Sequence, residues 1–411
     1  MISDIIMSNR PVFIVLLLIF GGTIAGSVTG AQTGYQTWSP VYLEKIAEYE
    51  GGTLYTAGEI PVVVLTGSFR QMGRQYGELL KPWLKSFHQK ALFTYSQGEG
   101  GESWDQERSF AEENYNQYPD NIHSFFEGIA ERSTIPLKDL ILLDQYVVLS
   151  IPPEEGWCSQ LAAWGDYTPS GSLVFGKNED YYEYFKEFDD SIVVTVFRPD
   201  DGSIPVATIG NAGEISTMNA LNQNGLVIAM NSAPSVYDSN IPRTDVIMPF
   251  MQFLLLLFDS PDMASFDQNI RQYSPAFPYI LNMADMHEAV SYETSVNTTI
   301  RRVSEQGFIA GTNHFIDPSW KYDRKTDEIL ESIERYDNLI ELGEEMKGKI
   351  NPDMMMHMLD IRTEQGGVTN PDTIYQFIAE PANKTIWIKI PGYQDWTGIN
   401  LTSLFGEYSS P

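Results

Sequence analysis

With one cysteine in 411 residues, the chain cannot form an intramolecular disulfide. The five histidines show no zinc-ligand spacing. Basic residues are scarce: 26 Lys and Arg stand against 55 Asp and Glu, a formal charge of -29, spread along the chain rather than gathered in a tail. Such a field repels nucleic acid and anionic lipid surfaces, which excludes nucleic acid as a partner and suits a salty or extracellular setting. Also missing are a glycine-rich phosphate loop after a strand, a Gly-x-Ser-x-Gly elbow, a repeat of fixed period and a linker between independent domains. Beyond the first thirty residues, the most apolar stretch, within Val246–Phe258, is too short to span a bilayer and reads as a buried helix.

The N-terminus carries what the rest of the chain lacks. Arg10, the apolar run from Val12 to Phe20 and the small residues from Gly21 to Gly30 read as a targeting segment. Residues 1–31 are expected to be a signal peptide cut after Val28-Thr29-Gly30 or Thr29-Gly30-Ala31, with retention as an uncleaved anchor the alternative. Export makes the protein secreted or extracytoplasmic, and with one cysteine its core must supply stability unaided. Asn297, Asn383 and Asn400 fit the glycosylation pattern, which is common by chance and is assigned no function.

Hydrophobic spacing divides the remainder in two. Before residue 158 the pattern predicts helices over Val41–Glu50, Gln71–Leu92, Asp105–Arg132 and Leu137–Leu149, one buried strand over Ile60–Leu65, and a glycine-bearing loop over Ser96–Gly101. After it come short strands over Ser159–Trp164, Leu173–Lys177, Ile192–Phe197 and Val206–Ile209, then Ile215–Asn219 and Leu226–Asn231 flanking an Asn-Gly hairpin turn at Asn222–Gly225. Helices at Val246–Phe258 and Met263–Tyr273 precede strands at Tyr279–Met283, Ala289–Glu293, Thr299–Val303 and Phe308–Ala310. A charged helix over Thr326–Met346, a short helix after Asn351-Pro352-Asp353 and strands at Thr373–Ile378 and Thr385–Ile390 complete the chain. Strand blocks interleaved with helix pairs imply an α+β arrangement of sheets packed on each other with helices outside.

Cys158 sits at the junction, at the first position of a strand. As an internal residue its thiol needs a neighbouring base to become thiolate near neutral pH. If the Trp157–Cys158 bond is cut, the freed α-amine becomes that base, since an α-amine near about 7.7–8.0 and a thiol near about 8.5 are well matched. The thiol can make the cut itself, by attacking the Trp157 carbonyl to give a thioester that water resolves.

Four motifs follow in order: Cys-Ser-Gln-Leu-Ala-Ala-Trp-Gly at 158–165, Gly-Lys-Asn-Glu-Asp at 176–180, Thr-Met-Asn-Ala-Leu-Asn-Gln-Asn-Gly-Leu-Val-Ile-Ala-Met-Asn at 217–231, and Gly-Thr-Asn-His at 311–314. With the segment Gly67–Leu80 upstream, this ordered set resembles the acyl-CoA:6-aminopenicillanate acyltransferase family, grouped with the C45 cysteine peptidases among the N-terminal-nucleophile hydrolases and related to the choloylglycine hydrolases. The resemblance spans about residues 60 to 400 in motif order. It implies a four-layer αββα sandwich of two antiparallel sheets and autoproteolysis between Trp157 and Cys158. A helical propeptide or α chain at 32–157 and a catalytic β chain at 158–411 would then arise from one precursor. It also implies cleavage or transfer of an acyl group at a linear amide of a small molecule or peptide, with no cofactor or metal. By motif, Cys158 matches the nucleophile and Asp180 the carboxylate that orients the terminal amine. Asn231 and Asn313 match amides that donate to the oxyanion or hold the amine. Arg335 looks like the arginine related hydrolases place beside the nucleophile. Lys177 stands where many relatives have Arg, so it keeps the charge but loses the planar fork.

Other readings of these residues remain. Cys158 as a buried structural thiol would make the chain a non-catalytic exported binding protein. A Cys158–His314 dyad without chain cleavage would make it an ordinary cysteine hydrolase. Asp180 fits a turn, Asn231 a strand-end cap and Arg335 a solvated ion pair with Glu331 or Glu334. Met354-Met355-Met356-His357-Met358 offers soft ligands for copper, but four methionines within so short a helical stretch cannot all face one ion, and core filling explains them better.

Overall fold

The computed structural model describes residues 39–96, 104–146, 157–233, 246–320 and 327–406. The predicted leader at 1–31, the loop at 97–101 and the predicted helix end at 147–149 lie outside the described residues.

The chain opens with three strands, β1 Glu44–Tyr49, β2 Gly52–Ala57 and β3 Ile60–Gly67. The helix expected over Val41–Glu50 is therefore β1: Glu, Lys and Ala favour a helix locally, but pairing with β2 overrides that preference. The β1–β2 turn uses left-handed backbone at Glu50 and Gly51. Next come α1 Phe69–Leu79, α2 Lys81–Ser96, α3 Trp104–Tyr115, α4 Asp120–Ser133 and α5 Leu137–Asp144. The two long helices expected here are each broken by proline. Pro82 lies in the first turn of α2, and Pro119 precedes α4 as its N-cap. Ser68 and Gln71 form a reciprocal capping box on α1. Glycines let α1 and α4 cross closely: a Cβ on Gly73 would lie 2.0 Å from the Phe125 carbonyl oxygen, and one on Gly128 would lie 2.4 Å from that of Arg70.

The second part contributes β4 Ser159–Ala163, β5 Val174–Asp180, β6 Ile192–Pro199, β7 Val206–Asn211, β8 Asn219–Asn222 and β9 Val227–Ser232. It continues with α6 Pro249–Asp259 and α7 Met263–Ile270, then β10 Tyr279–Ala284, β11 Ala289–Thr294, β12 Thr299–Val303 and β13 Phe308–Gly311. The last elements are α8 Asp327–Glu345, α9 Pro352–Asp360, β14 Thr373–Glu380, β15 Thr385–Ile390 and β16 Gln394–Asn400, the last of which the spacing did not predict. The predicted strand at Ile215–Asn219 begins only at Asn219, because Ile215 and Ser216 donate their backbone N–H groups to Asp144 Oδ1, each at 2.7 Å. The Asn222–Gly225 turn forms as expected, with Gly225 at φ 89° and Asn222 Oδ1 accepting from the Asn224 and Leu226 amides at 3.0 Å.

Two sheets result. One has ten strands in the order β1-β2-β3-β6-β7-β8-β9-β10-β11-β12, and the other six in the order β13-β4-β5-β14-β15-β16. Both are antiparallel except where β3 runs parallel to β6. The segment before Cys158 is thus not purely helical, since it supplies three strands of the larger sheet.

Side chains alternate across each strand, and this builds four layers. Val63 and Leu65 of β3 and Ile228 and Met230 of β9 face α1, α4 and α6, while Val62, Val64, Val227 and Ala229 face the other sheet. On the six-stranded sheet, Phe175, Phe377 and Ile388 meet them, and Leu161, Val174 and Ile378 pack outward on Leu339 of α8 and Met355 and Met358 of α9. The order helices, sheet, sheet, helices is an αββα sandwich. Met354, Met355, Met356 and Met358 are buried under α9 and His357 is exposed, as core filling requires. No described helix is long and apolar enough to cross a membrane.

Candidate active site

The β4–β5 register sets Ser159 opposite Asn178 and Gln160 opposite Lys177. One step earlier, Cys158 therefore falls beside Glu179. The thiol is buried and its Sγ donates to Glu179 Oε1 at 3.3 Å and, more weakly, to the Asp180 backbone carbonyl at 3.7 Å. Burial pushes the thiol well above its ordinary value, and the Glu179 charge adds to this while Lys177 opposes it.

Glu179 is held in place. Its Oε2 lies 2.7 Å from Lys177 Nζ and accepts from Asn219 Nδ2 at 2.5 Å, and Asn219 Nδ2 is also 2.6 Å from the Tyr375 hydroxyl. Lys177 donates to the Met230 carbonyl across the sheet interface and is fully buried. It acts as a point charge on one carboxylate and one carbonyl, not as a fork.

Asn231 reaches the same place from β9. Its Nδ2 donates to the carbonyls of Cys158 at 3.4 Å, Gly311 at 3.3 Å and Thr312 at 2.9 Å. Asn231 Oδ1, Asn219 Oδ1, Gln160 Oε1 and both side-chain polar atoms of Asn282 are buried without a hydrogen-bond partner among the described residues. Natural folds leave few such groups, and functional sites are where they are expected.

Of the remaining predicted residues, Arg335 and Asp180 lie on the other face of β4 and β5, and Asn313 links that face to β9. Arg335, from α8, is buried. It donates through Nε to Ser159 Oγ at 3.2 Å and through Nη2 to Asn313 Oδ1 at 2.8 Å. It is a buried connector between the strand that starts at Cys158 and the segment after β13, not a solvated ion-pair residue. Asn313 donates to the Ser232 carbonyl at 2.9 Å, and its backbone N–H bonds Ser332 Oγ at 2.8 Å. Glu293 fixes the chain just beyond, accepting from the backbone N–H groups of Ile316 at 2.7 Å and Asp317 at 3.0 Å. Asp180 alternates to this face too. Its carboxyl is buried without a well-formed hydrogen bond, and burial pushes it up to about 7, against the opposing pull of the Thr373 hydroxyl and the Arg335 charge. Trp157, upstream of the thiol, is half-buried and packs edge-on against Tyr182 with ring centroids 5.2 Å apart.

His314 does not join the thiol. Its Nδ1 lies 2.8 Å from Ser332 Oγ and 3.2 Å from Thr312 Oγ1, its ring packs against Tyr336, and Cys158 Sγ bonds Glu179 and Asp180 instead. Burial, with the charges of Arg335 and Arg302, lowers His314 to about 4, so it is neutral at physiological pH.

The five predicted residues thus gather at one end of β4 and β5, and three that sequence reasoning did not place join them: Glu179, Asn219 and Tyr375. The signal for Glu179 was its two-residue spacing from Lys177, which puts both on one face of a strand. A narrow cleft lies beside Tyr375, walled by Tyr181, Phe185, Met218, Phe250 and Ile374, with Glu214 facing it.

No family model matches this chain, and no curated protein matches it. Among solved structures it is similar to an ortholog of N-acylethanolamine-hydrolyzing acid amidase from Caenorhabditis elegans, at 14% identity and a TM-score of 0.40, covering 55% of this chain and 93% of that one. It is also similar to a mutant form of the conjugated bile acid hydrolase from Clostridium perfringens, at 12% identity and a TM-score of 0.43, covering 61% and 95%. A third similarity is to penicillin V acylase from Agrobacterium tumefaciens, at 10% identity and a TM-score of 0.40, covering 62% and 89%.

Proposed function

We propose that this chain is an exported, self-processing N-terminal-cysteine hydrolase of the N-terminal-nucleophile type, acting on linear amides of small molecules or peptides. The observation that carries the reading is the placement of the single cysteine: buried, at the start of an interior strand, with Asp180, Asn231, Asn313 and Arg335 all buried around that strand end. Cleavage of the Trp157–Cys158 bond would free an α-amine between them. The α chain would stay bound through the β3–β6 ladder and the α1–α5 layer.

In turnover the α-amine takes the thiol proton and the thiolate attacks the acyl carbonyl of the substrate. The tetrahedral adduct collapses as the ammonium returns its proton to the leaving amine. Water then adds to the thioester, releasing the acid and restoring the thiol. Asp180 and Arg335 orient the amine, and Asn231 and Asn313 donate to the oxyanion or hold the amine, one oxyanion donor contributing about 2.7–4 kcal/mol. Export favours water over acyl-CoA chemistry, because that thioester is intracellular, so hydrolysis is preferred to transfer. Purified protein offered a panel of N-acyl amides is expected to hydrolyse a subset, and Cys158→Ala to abolish this. A folded protein whose thiol resists alkylating probes and that turns over none of the panel would instead be a binder on this fold.

A further inference from the structure

The self-processing reading leaves its first step without a base. In turnover the α-amine takes the thiol proton, but in the intact chain that nitrogen is an amide and has no basicity. His314 is engaged by Ser332 and Thr312. The Asp180 carboxyl alternates to the opposite face of β5, and only its backbone carbonyl meets the thiol, at 3.7 Å. Glu179 is different. Oε1 lies 3.3 Å from Sγ, and Oε2 is tied to Lys177 and Asn219, so the oxygen turned toward the thiol is the one without a fixed partner.

We infer that Glu179 is the proton acceptor for self-cleavage, a catalytic residue of the precursor whose task passes to the Cys158 α-amine once the chain is cut. The inference rests on the self-processing reading. The Glu179 carboxylate takes the Sγ proton, and the sulfur lone pair forms the bond to the Trp157 carbonyl carbon. The adduct collapses, the Trp157–Cys158 carbon–nitrogen bond breaks, and the proton held by Glu179 goes to the departing nitrogen, which becomes the α-amine. Water then adds to the thioester, leaving a carboxyl group on Trp157 and the thiol on Cys158. The Lys177 ammonium, 2.7 Å from Oε2, anchors the carboxylate so that Oε1 stays turned toward the sulfur. The other ionisable groups near the thiol are Asp180, Tyr181, Tyr375 and Arg335.

The test follows the conversion of full-length chain into two fragments after cell-free synthesis, across a range of pH. Wild type is expected to cleave, Glu179→Asp to cleave more slowly, and Glu179→Gln to cleave at least about 100-fold more slowly, the usual worth of a general base. The rate for Glu179→Gln should also rise about tenfold per pH unit, since the thiol must then ionise without help. The double variant Glu179→Gln with Lys177→Met, which leaves no unpaired buried charge, separates a folding defect from a lost base and should be slowed likewise. Cleavage of Glu179→Gln at the wild-type rate, or slowed with an unchanged pH profile, would overturn the assignment while leaving self-processing intact. A wild-type chain that stays whole would overturn both.

Discussion

The space between the two sheets has two ends built from the same strands. Toward one end β5 and β14 present Phe175 and Phe377, with ring centroids 5.9 Å apart, against the valines of β3 and β6. Toward the other, the same face of β5 carries Lys177 and Glu179, and that of β14 carries Tyr375. The strand period does not change between them, and only the chemistry of the inward positions does. Burial at the first end is a stability term. Burial at the second removes water from a thiol, a carboxylate and an ammonium, which is costly unless each is paired.

Substitutions can break this comparison. Lys177→Met strands the Glu179 charge and is expected to destabilise the chain by about 3–5 kcal/mol, and Phe377→Ala by about 3–5 kcal/mol through a cavity. The two losses differ in rescue. Adding Glu179→Leu to Lys177→Met should restore most of the stability, because replacing a buried pair together is often neutral, whereas Phe377→Ala has no charged partner to remove. Denaturant unfolding of the four proteins, all in the uncleaved Cys158→Ala background, measures this, and failure of the double variant to recover would show that the pair is not the polar end's main constraint.

A smaller effect sharpens the contrast from the other face of β5. The Asp180 carboxyl is raised in the folded chain to about 7 from an ordinary 3.8, so the folded state holds its proton over a range where the unfolded state has lost it. Its contribution to stability is therefore full below about 4 and lost as pH rises through about 7. In the uncleaved Cys158→Ala background, adding Asp180→Asn should flatten the decline in stability over that window, read as the difference between the two unfolding curves against pH. His314, lowered to about 4, acts with the opposite sign and is common to both proteins. An unchanged slope would mean that Asp180 is already ionised in the fold.

How far these features could be read in advance depends on what local sequence encodes. The order of motifs after Cys158 located the end of β9 near Asn231 and placed Asn313 just past β13, because polar residues closing apolar runs mark where a strand leaves the core, whereas the strand expected to end at Lys177 runs on to Asp180. The strand identity of Glu44–Tyr49 was hidden, since helix-favouring residues there take their conformation from pairing with β2. Glu179 was visible in the motif but not as the thiol's neighbour: that contact depends on the β4–β5 register, which no single strand specifies. Asn219 and Tyr375 come from strands separated from Cys158 by long stretches of chain and meet Glu179 only when the two sheets close.

Intact-mass analysis of the purified full-length product, with N-terminal sequencing of the larger fragment, decides whether Cys158 becomes a chain terminus. Two polypeptides are expected, the larger running from residue 158 to residue 411 and beginning Cys-Ser-Gln-Leu, with Cys158→Ala left whole. A single uncut chain with full amide-hydrolase activity would contradict this.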